Sequence, residues 1–99
     1  MATDVYIEEY ATLTAVYGSN IHLPAQPTTV QKISATGTSG QSAAFAATTH
    51  FVCVIPRGTV CGALGANPTA TSSSRFFPTN VPRFMEVTPG EKLALIEVV

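Results

Sequence analysis

The chain has 99 residues, 11% of them charged and 45% hydrophobic, with a formal net charge of −1 at pH 7. A chain of this length is one domain, and it buries somewhat over ~60% of the surface its unfolded form exposes, enough for a core without metal or disulfide staples. The Lys and Arg residues (Lys32, Arg57, Arg75, Arg83, Lys92) are scattered, with no run that could track a phosphate backbone, and no window approaches a membrane-spanning helix, so neither nucleic acid nor membrane is an expected partner.

Helical periodicity is absent, and β-branched residues, Gly and Pro recur every few positions, so the elements predicted in chain order are short strands. The opening Met1-Ala2-Thr3-Asp4 has neither the basic nor the apolar region of a secretion signal, and synthesis in the cytosol is expected. Asp4–Tyr10 follows as a strand with Tyr6 and Tyr10 on one face. It reads as a core strand in preference to an arm laid on a neighbouring subunit. Leu13–Tyr17 is the next strand, and Gly18-Ser19-Asn20 ends it. From Leu23 to Pro27, Pro-Ala-Gln-Pro favours an extended polyproline-like crossover, because Pro cannot donate to a central ladder. Val30–Ala35 and Gln41–Phe45 are strands separated by Gly37-Thr38-Ser39-Gly40.

Two hairpins are then expected. His50–Ile55 turns through Pro56-Arg57-Gly58 into Thr59–Leu64, with Gly58 at the left-handed position of a three-residue loop. That register places Cys53 opposite Cys61. In the second hairpin Arg83–Val87 turns through Thr88-Pro89-Gly90-Glu91 into Lys92–Val98, where Pro presets φ and Gly accepts φ > 0 in a type II turn. Between them the irregular stretch Gly65–Pro82 is long for so small a domain, and a connection of that kind usually carries function. It contains Asn67 and the cluster Arg75-Phe76-Phe77. The two phenylalanines either plug the open end of the core or form an aromatic anchor flanked by Arg75 and Arg83, residue types enriched where interfaces concentrate their energy. The total of about eight short strands predicts an all-β fold: a single antiparallel β-sandwich domain over residues 1–99, jelly-roll-like or immunoglobulin-like.

Catalytic constellations do not emerge. His50, Cys53 and Cys61 match no zinc spacing, and positions 50 and 53 point to opposite faces of a strand. A Cys53–Cys61 disulfide fits the predicted register, but cytosolic synthesis favours two buried free thiols acting as small hydrophobes. The one aspartate, Asp4, lies beside the N-terminus, which leaves a nucleophile–base–carboxylate triad unsupplied. Glu8 and Glu9 face opposite sides of any strand and read as a solvated edge. Gly62-Ala63-Leu64-Gly65 lacks the Lys-Ser/Thr of a phosphate loop and reads as a bend in a strand. No enzyme activity, cofactor or metal is expected.

Low charge on a surface rich in hydroxyls and small groups provides little repulsion between neighbours, which points to a component of an assembly. Gln41-Ser42-Ala43-Ala44-Phe45, Phe51–Ile55, Gly65-Ala66-Asn67-Pro68-Thr69-Ala70-Thr71, Glu86-Val87 and Gly90-x-Lys92-x-Ala94-x-Ile96 together resemble small structural proteins encoded among the head genes of tailed bacteriophages. The likeness covers residues 28 to 96, with departures at Pro56-Arg57-Gly58 and Arg75-Phe76-Phe77. It implies a capsid decoration or cement subunit, assembled in the host bacterial cytoplasm onto the virion, whose partners are the major capsid protein and copies of itself. Asn67, Arg75, Phe76, Phe77, Arg83, Tyr6 and Tyr10 are the candidate interface residues. The alternatives are a neck, adaptor or tail component of the virion, or a small glycan- or ligand-binding β module using the Gly65–Pro82 loop.

Overall fold

Alternation along the first strand sets the architecture: Val5, Ile7 and Glu9 are buried while Asp4, Tyr6 and Glu8 on the other face are partly open, the pattern of a strand with one face on a core. In the computed structural model, which describes residues 2–11, 13–15, 22–24 and 27–98, this strand is β1 (Thr3–Tyr10). It is followed by β2 (Leu13–Ala15), β3 (His22–Pro24), β4 (Thr29–Ala35), β5 (Gly40–Gln41), β6 (Phe51–Pro56), β7 (Val60–Gly65), β8 (Arg75–Phe77), β9 (Arg83–Glu86) and β10 (Lys92–Glu97). Eight of the strands form two four-stranded antiparallel sheets, ordered β4-β1-β6-β9 and β5-β10-β7-β8. The all-β sandwich expected from the sequence is the observed fold.

Val5, Ile7, Val52, Val54 and Met85 from the first sheet meet Val60, Phe77, Leu93 and Leu95 from the second in one buried cluster. Burying a Val, Leu, Ile or Phe side chain is worth about 1.5–3 kcal/mol, so this cluster is the main stabilising term. Gly62 belongs to it by having no side chain: a Cβ there would stand 2.8 Å from Phe77 Cε2 and 3.1 Å from Leu95 Cδ2. The Gly62–Gly65 stretch is therefore not a bend. It lies in a regular strand whose Gly62 gives Phe77 room to pack.

Both predicted hairpins are corrected by the topology. β6 pairs with β1 and β9, whereas β7 pairs with β10 and β8, so the chain crosses from one sheet to the other between them. β6 ends at Pro56, which has no N–H for a ladder, and its carbonyl accepts from Asn80 N–H at 2.7 Å. Arg57 N–H donates to the Asp4 carbonyl at 2.9 Å, and Val98 N–H to that of Thr59 at 3.0 Å. The crossing backbone is thereby satisfied without a hairpin. Gly58 is not among the positive-φ glycines; its Cα faces Thr3, whose Cγ2 would lie 2.8 Å from an added Cβ. Since Cys53 is aligned with Glu8 on the outer side of the first sheet and Cys61 with Ile96 on the outer side of the second, the sandwich separates them. Packed sheets are about 10 Å apart, and a disulfide needs Cα atoms within about 7 Å. Both cysteines are free and buried.

At the C-terminal turn the local chemistry is as predicted. Gly90 has φ 88° and Glu91 N–H donates to the Thr88 carbonyl at 3.1 Å. The flanking strands nevertheless separate, β9 to the first sheet and β10 to the second. As a hairpin the two strands would share one wall. As an arch they place Met85 and Val87 in one wall and Leu93 and Leu95 in the other, so a single turn closes the core from both sides.

The N-terminal strand is a core strand, flanked by β4 and β6, as expected. β2 and β3 pair only with each other, in the register Leu13↔Pro24 to Ala15↔His22, so Leu23-Pro24 belongs to a ribbon and not to a polyproline crossover. Residues 16–17 of the second predicted strand, Gly18-Ser19-Asn20, and Ala25-Gln26 lie outside the described residues. Of Gln41–Phe45 only Gln41 is in a strand; the continuation follows the edge of the second sheet, with Ser42 N–H donating to the Leu93 carbonyl and Phe45 N–H to that of Glu91, each at 2.8 Å.

Candidate functional site

β1 brings Tyr6 and Tyr10 to the outer face of the first sheet, because the inward positions Val5, Ile7 and Glu9 alternate with them. Antiparallel register then decides what joins them: Tyr6 lies opposite Ile55, Glu8 opposite Cys53 and Tyr10 opposite Phe51. On the next strand Phe84 lies opposite Cys53 and Glu86 opposite Phe51. The result is a cross-strand aromatic group. The Tyr10 and Phe51 rings are 5.7 Å apart at 9°, and Phe84 lies 5.9 Å from Tyr10 at 45°. Aromatic pairs at such spacing add about 0.5–1.5 kcal/mol beyond the area they bury.

Tyr10 is the buried member, and Phe84 is the open one at 52% exposure. Val30 on β4, aligned with Glu8, is 55% exposed. Large apolar side chains on the solvent side of a sheet are the informative kind of exposure, because alternation normally reserves that side for polar groups.

Carboxylates border the rings. Glu8 Oε1 accepts from the Tyr10 hydroxyl at 2.8 Å. Burial, together with that bond and the Glu8 charge, pushes the Tyr10 phenol up to about 12. The Cys53 thiol beneath is also raised, first by burial and then by Glu8, with a backbone hydrogen bond from Arg83 opposing. Such a thiol stays protonated and is a poor nucleophile. At the other end Lys32 Nζ stands 3.7 Å from Asp4 Oδ2 and 6.0 Å above the Tyr6 ring. Asp4 therefore has its counter-charge, whereas Glu86 has no salt-bridge or hydrogen-bond partner among the described residues.

The remaining predicted residues do not join this face. Phe76 and Phe77 are neighbours on β8 and so point to opposite sides: Phe77 is fully buried in the core, and Phe76 is 52% exposed on the outer side of the second sheet. The core reading holds for Phe77 and not for Phe76. Arg75 is exposed at that sheet's edge, while Arg83 is half-buried on β9 of the other sheet, so the two arginines do not flank one anchor. Asn67 is exposed and accepts from Gln41 Nε2 at 2.8 Å.

The Gly65–Pro82 stretch, expected to be the contact loop, packs on its own domain. Pro68 and Ala70 are buried, Ala70 N–H donates to Ser39 Oγ at 2.8 Å, and Cys61 Sγ is 3.7 Å from the Ser72 carbonyl. The loop covers part of the second sheet's outer side, over Cys61 and Ala94, both buried. On the first sheet's outer side Tyr10 and Cys53 are likewise buried, while Phe84 and Val30 are exposed. Phe51, Ile55 and Phe84 escaped the sequence reading because their strands share a face only after non-local pairing. The alternation of Phe84 with inward Met85 was the available signal.

Glu9 is a second correction. It is 1% exposed, not a solvated edge. Its Oε1 accepts from Thr49 Oγ1 at 2.8 Å and Ala46 N–H at 3.0 Å, and its Oε2 from Gln31 Nε2 at 2.9 Å. The carboxylate is thus a buried clamp between β1, β4 and the segment leading into β6. Among the described residues no group of three His, Cys, Asp or Glu side chains converges in a way that could hold a metal ion. No protein-family model, curated protein or solved structure matches the chain.

Proposed function

We propose that this protein is a structural subunit of a bacteriophage virion, a cement protein that sits on the head shell and binds the major capsid protein and copies of itself. The observation that carries the reading is the outer face of the first sheet, where Tyr10, Phe51 and Phe84 form an aromatic group left partly open on a chain with few charges. Exposed aromatic clusters of this kind mark interaction surfaces in otherwise polar domains. A shell presenting many copies of one site makes modest contacts sufficient, because effective concentration multiplies them. The resemblance of residues 28 to 96 to phage head proteins supports a viral head as that shell. Low charge and a hydroxyl-rich surface suit a subunit that must dissolve before it assembles.

Electron microscopy of purified particles tests this. A cement protein appears on the capsid face in tens to hundreds of copies, and Phe84→Ser lowers its occupancy. Finding only about a dozen copies at a vertex or on the tail would replace the reading with a neck, adaptor or tail component. Absence from particles would sink it altogether.

A further inference from the structure

Sheet edges are where one chain can add to another, because the N–H and C=O groups along them lack a ladder partner. Proteins that must stay apart blunt their edges with charge, Pro or brevity. The four edges of the sandwich are treated so: β4 carries Lys32, β9 carries Arg83 and Glu86, β8 opens on Arg75, and β5 is two residues long. The β2–β3 ribbon adds two further edges, and these differ from each other. β3 ends on Pro24, whereas β2, Leu13-Thr14-Ala15, is as short as β8 but has neither charge nor Pro. No Asp, Glu, Lys or Arg occurs anywhere from Ala11 to Pro27.

Pro24 also fixes which groups the β2 edge presents. Lacking an N–H, it cannot exchange two hydrogen bonds with Leu13, its partner in the register. Bonded and non-bonded positions alternate along an antiparallel pair. The exchanging pair is therefore Thr14 with Leu23, and the N–H and C=O of Leu13 and Ala15 point away from β3. Among the described residues these groups meet no backbone partner. A two-stranded ribbon alone is marginal in water and gains stability from added strands.

We infer that a second copy of this chain occupies this edge, β2 pairing antiparallel with β2 about a two-fold axis at Thr14. Leu13 of each copy exchanges hydrogen bonds with Ala15 of the other, and the ribbons merge into one sheet ordered β3-β2-β2-β3. The register follows from the outward groups: an axis at Thr14 is the placement that pairs Leu13 and Ala15 of both copies at once. Charge favours the same occupant. A two-fold contact sets residues near its axis against their own copies, so Glu8 and Glu86 on the first sheet's outer face oppose such a contact there. The uncharged ribbon meets no repulsion of this kind.

Area sets the strength. Three paired residues per copy bury far less than the ~800 Å² per partner of a standard stable interface. The free protein is accordingly monomeric at micromolar concentration and dimeric toward millimolar, and on a shell the effective concentration of neighbouring copies makes so small a contact sufficient. The inference deepens the cement reading by naming the contact between copies. It is tested on the free chain, so its failure leaves occupancy on particles untouched, and absence from particles leaves this contact untouched.

The experiment is sedimentation velocity of the full chain from micromolar to millimolar concentration, with T14K, T14D, their equimolar mixture, and F84S as the control for the aromatic face. Neither strand of the ribbon pairs with the sandwich, and the ribbon's root is held separately, Thr28 N–H and Oγ1 donating to the Glu9 carbonyl at 2.8 and 3.3 Å. Substitution at Thr14 thus spares the core, and circular dichroism checks it. The expected result is a dimer limit, about tenfold weaker association for T14K or T14D alone, recovery in the mixture where the new Lys faces the new Asp, and no change for F84S. A monomer at millimolar concentration overturns the inference and leaves a strand of another protein as the occupant of the edge. Growth past the dimer overturns it, as does association lost in F84S and kept in T14K. Amide hydrogen exchange reads the register independently: protection at Leu13 and Ala15 must rise with concentration while Thr14, already bonded to Leu23, stays unchanged. Protection that does not rise at Leu13 and Ala15 also overturns the proposal.

Discussion

Replacing Glu9 by alanine should be the most damaging polar substitution in the domain. The wild-type carboxylate is 1% exposed and accepts three hydrogen bonds, from Thr49 Oγ1, Ala46 N–H and Gln31 Nε2. Thr49 is itself fully buried, so removing the acceptor leaves its hydroxyl and the Ala46 N–H without their partner. Gln31 loses less, because it also bonds Ala43 through both its oxygen and its nitrogen. A hydrogen bond to a charged group is worth about 1.5–3 kcal/mol, and breaking a buried charged network by removing one member costs about 3–5 kcal/mol. That is a large fraction of the 5–15 kcal/mol typical of a domain. Near 100 residues each kcal/mol moves the thermal midpoint by roughly 5 °C, so Glu9→Ala should lower it by about 15–25 °C. Glu9→Gln, which keeps the volume and one acceptor oxygen, should fall between, at about 1–3 kcal/mol. Glu8→Ala is the internal control, since the neighbouring glutamate faces outward and loses one bond to Tyr10, at about 1 kcal/mol or less. Urea denaturation followed by circular dichroism compares the three. If Glu9→Ala and Glu8→Ala cost the same within error, the clamp argument is wrong.

Phe77→Ala should cost about 3–5 kcal/mol because its ring is fully buried, whereas Phe76→Ala, half exposed, should change stability by under about 1 kcal/mol; equal losses in the same denaturation assay would contradict the division of roles on β8. The raised Tyr10 phenol gives a pH effect of defined sign. Its folded pKa of about 12 lies above the ordinary 10.0, so its contribution to stability is complete below pH 10 and lost as pH rises toward 12. Ultraviolet titration should show a phenol step displaced toward pH 12, and Tyr10→Phe should abolish that late step. Both thiols should resist iodoacetamide in the native protein and take up one carbamidomethyl group each after denaturation without reductant, as read by mass spectrometry. A native mass two units below that of the reduced chain would indicate the disulfide that the separated sheets forbid.

The aromatic face shows how far a sequence can be read. Tyr6 and Tyr10 were legible as a pair on one side of a strand, because alternation is a local property of the backbone. Their companions were not. Phe51 and Phe84 reach Tyr10 only because β6 lies between β1 and β9, and pairing partners are chosen by the whole core. Glu9 illustrates the opposite error: its charge suggested solvent, and the donors that make burial tolerable arrive from residues as distant as Thr49.

By itself the sequence determined the class of the molecule: many short strands, no amphipathic helix, an N-terminal strand in the core, and a glycine at Gly90 where a turn requires φ > 0. These follow from periodicity and from the conformational limits of Gly and Pro, which act over a few residues. Only the tertiary structure decided that the turns at Pro56–Gly58 and Thr88–Glu91 join different sheets, that Cys53 and Cys61 lie on opposite sides, and that the Gly65–Pro82 stretch packs over Cys61 on one face while Tyr10, Phe51 and Phe84 come together on the other. The physical reason is that a hairpin and an arch have the same turn and the same alternation. What separates them is which arrangement buries Phe77, Leu93 and Leu95 against Val52, Val54 and Ile7, and that is a property of the assembled core.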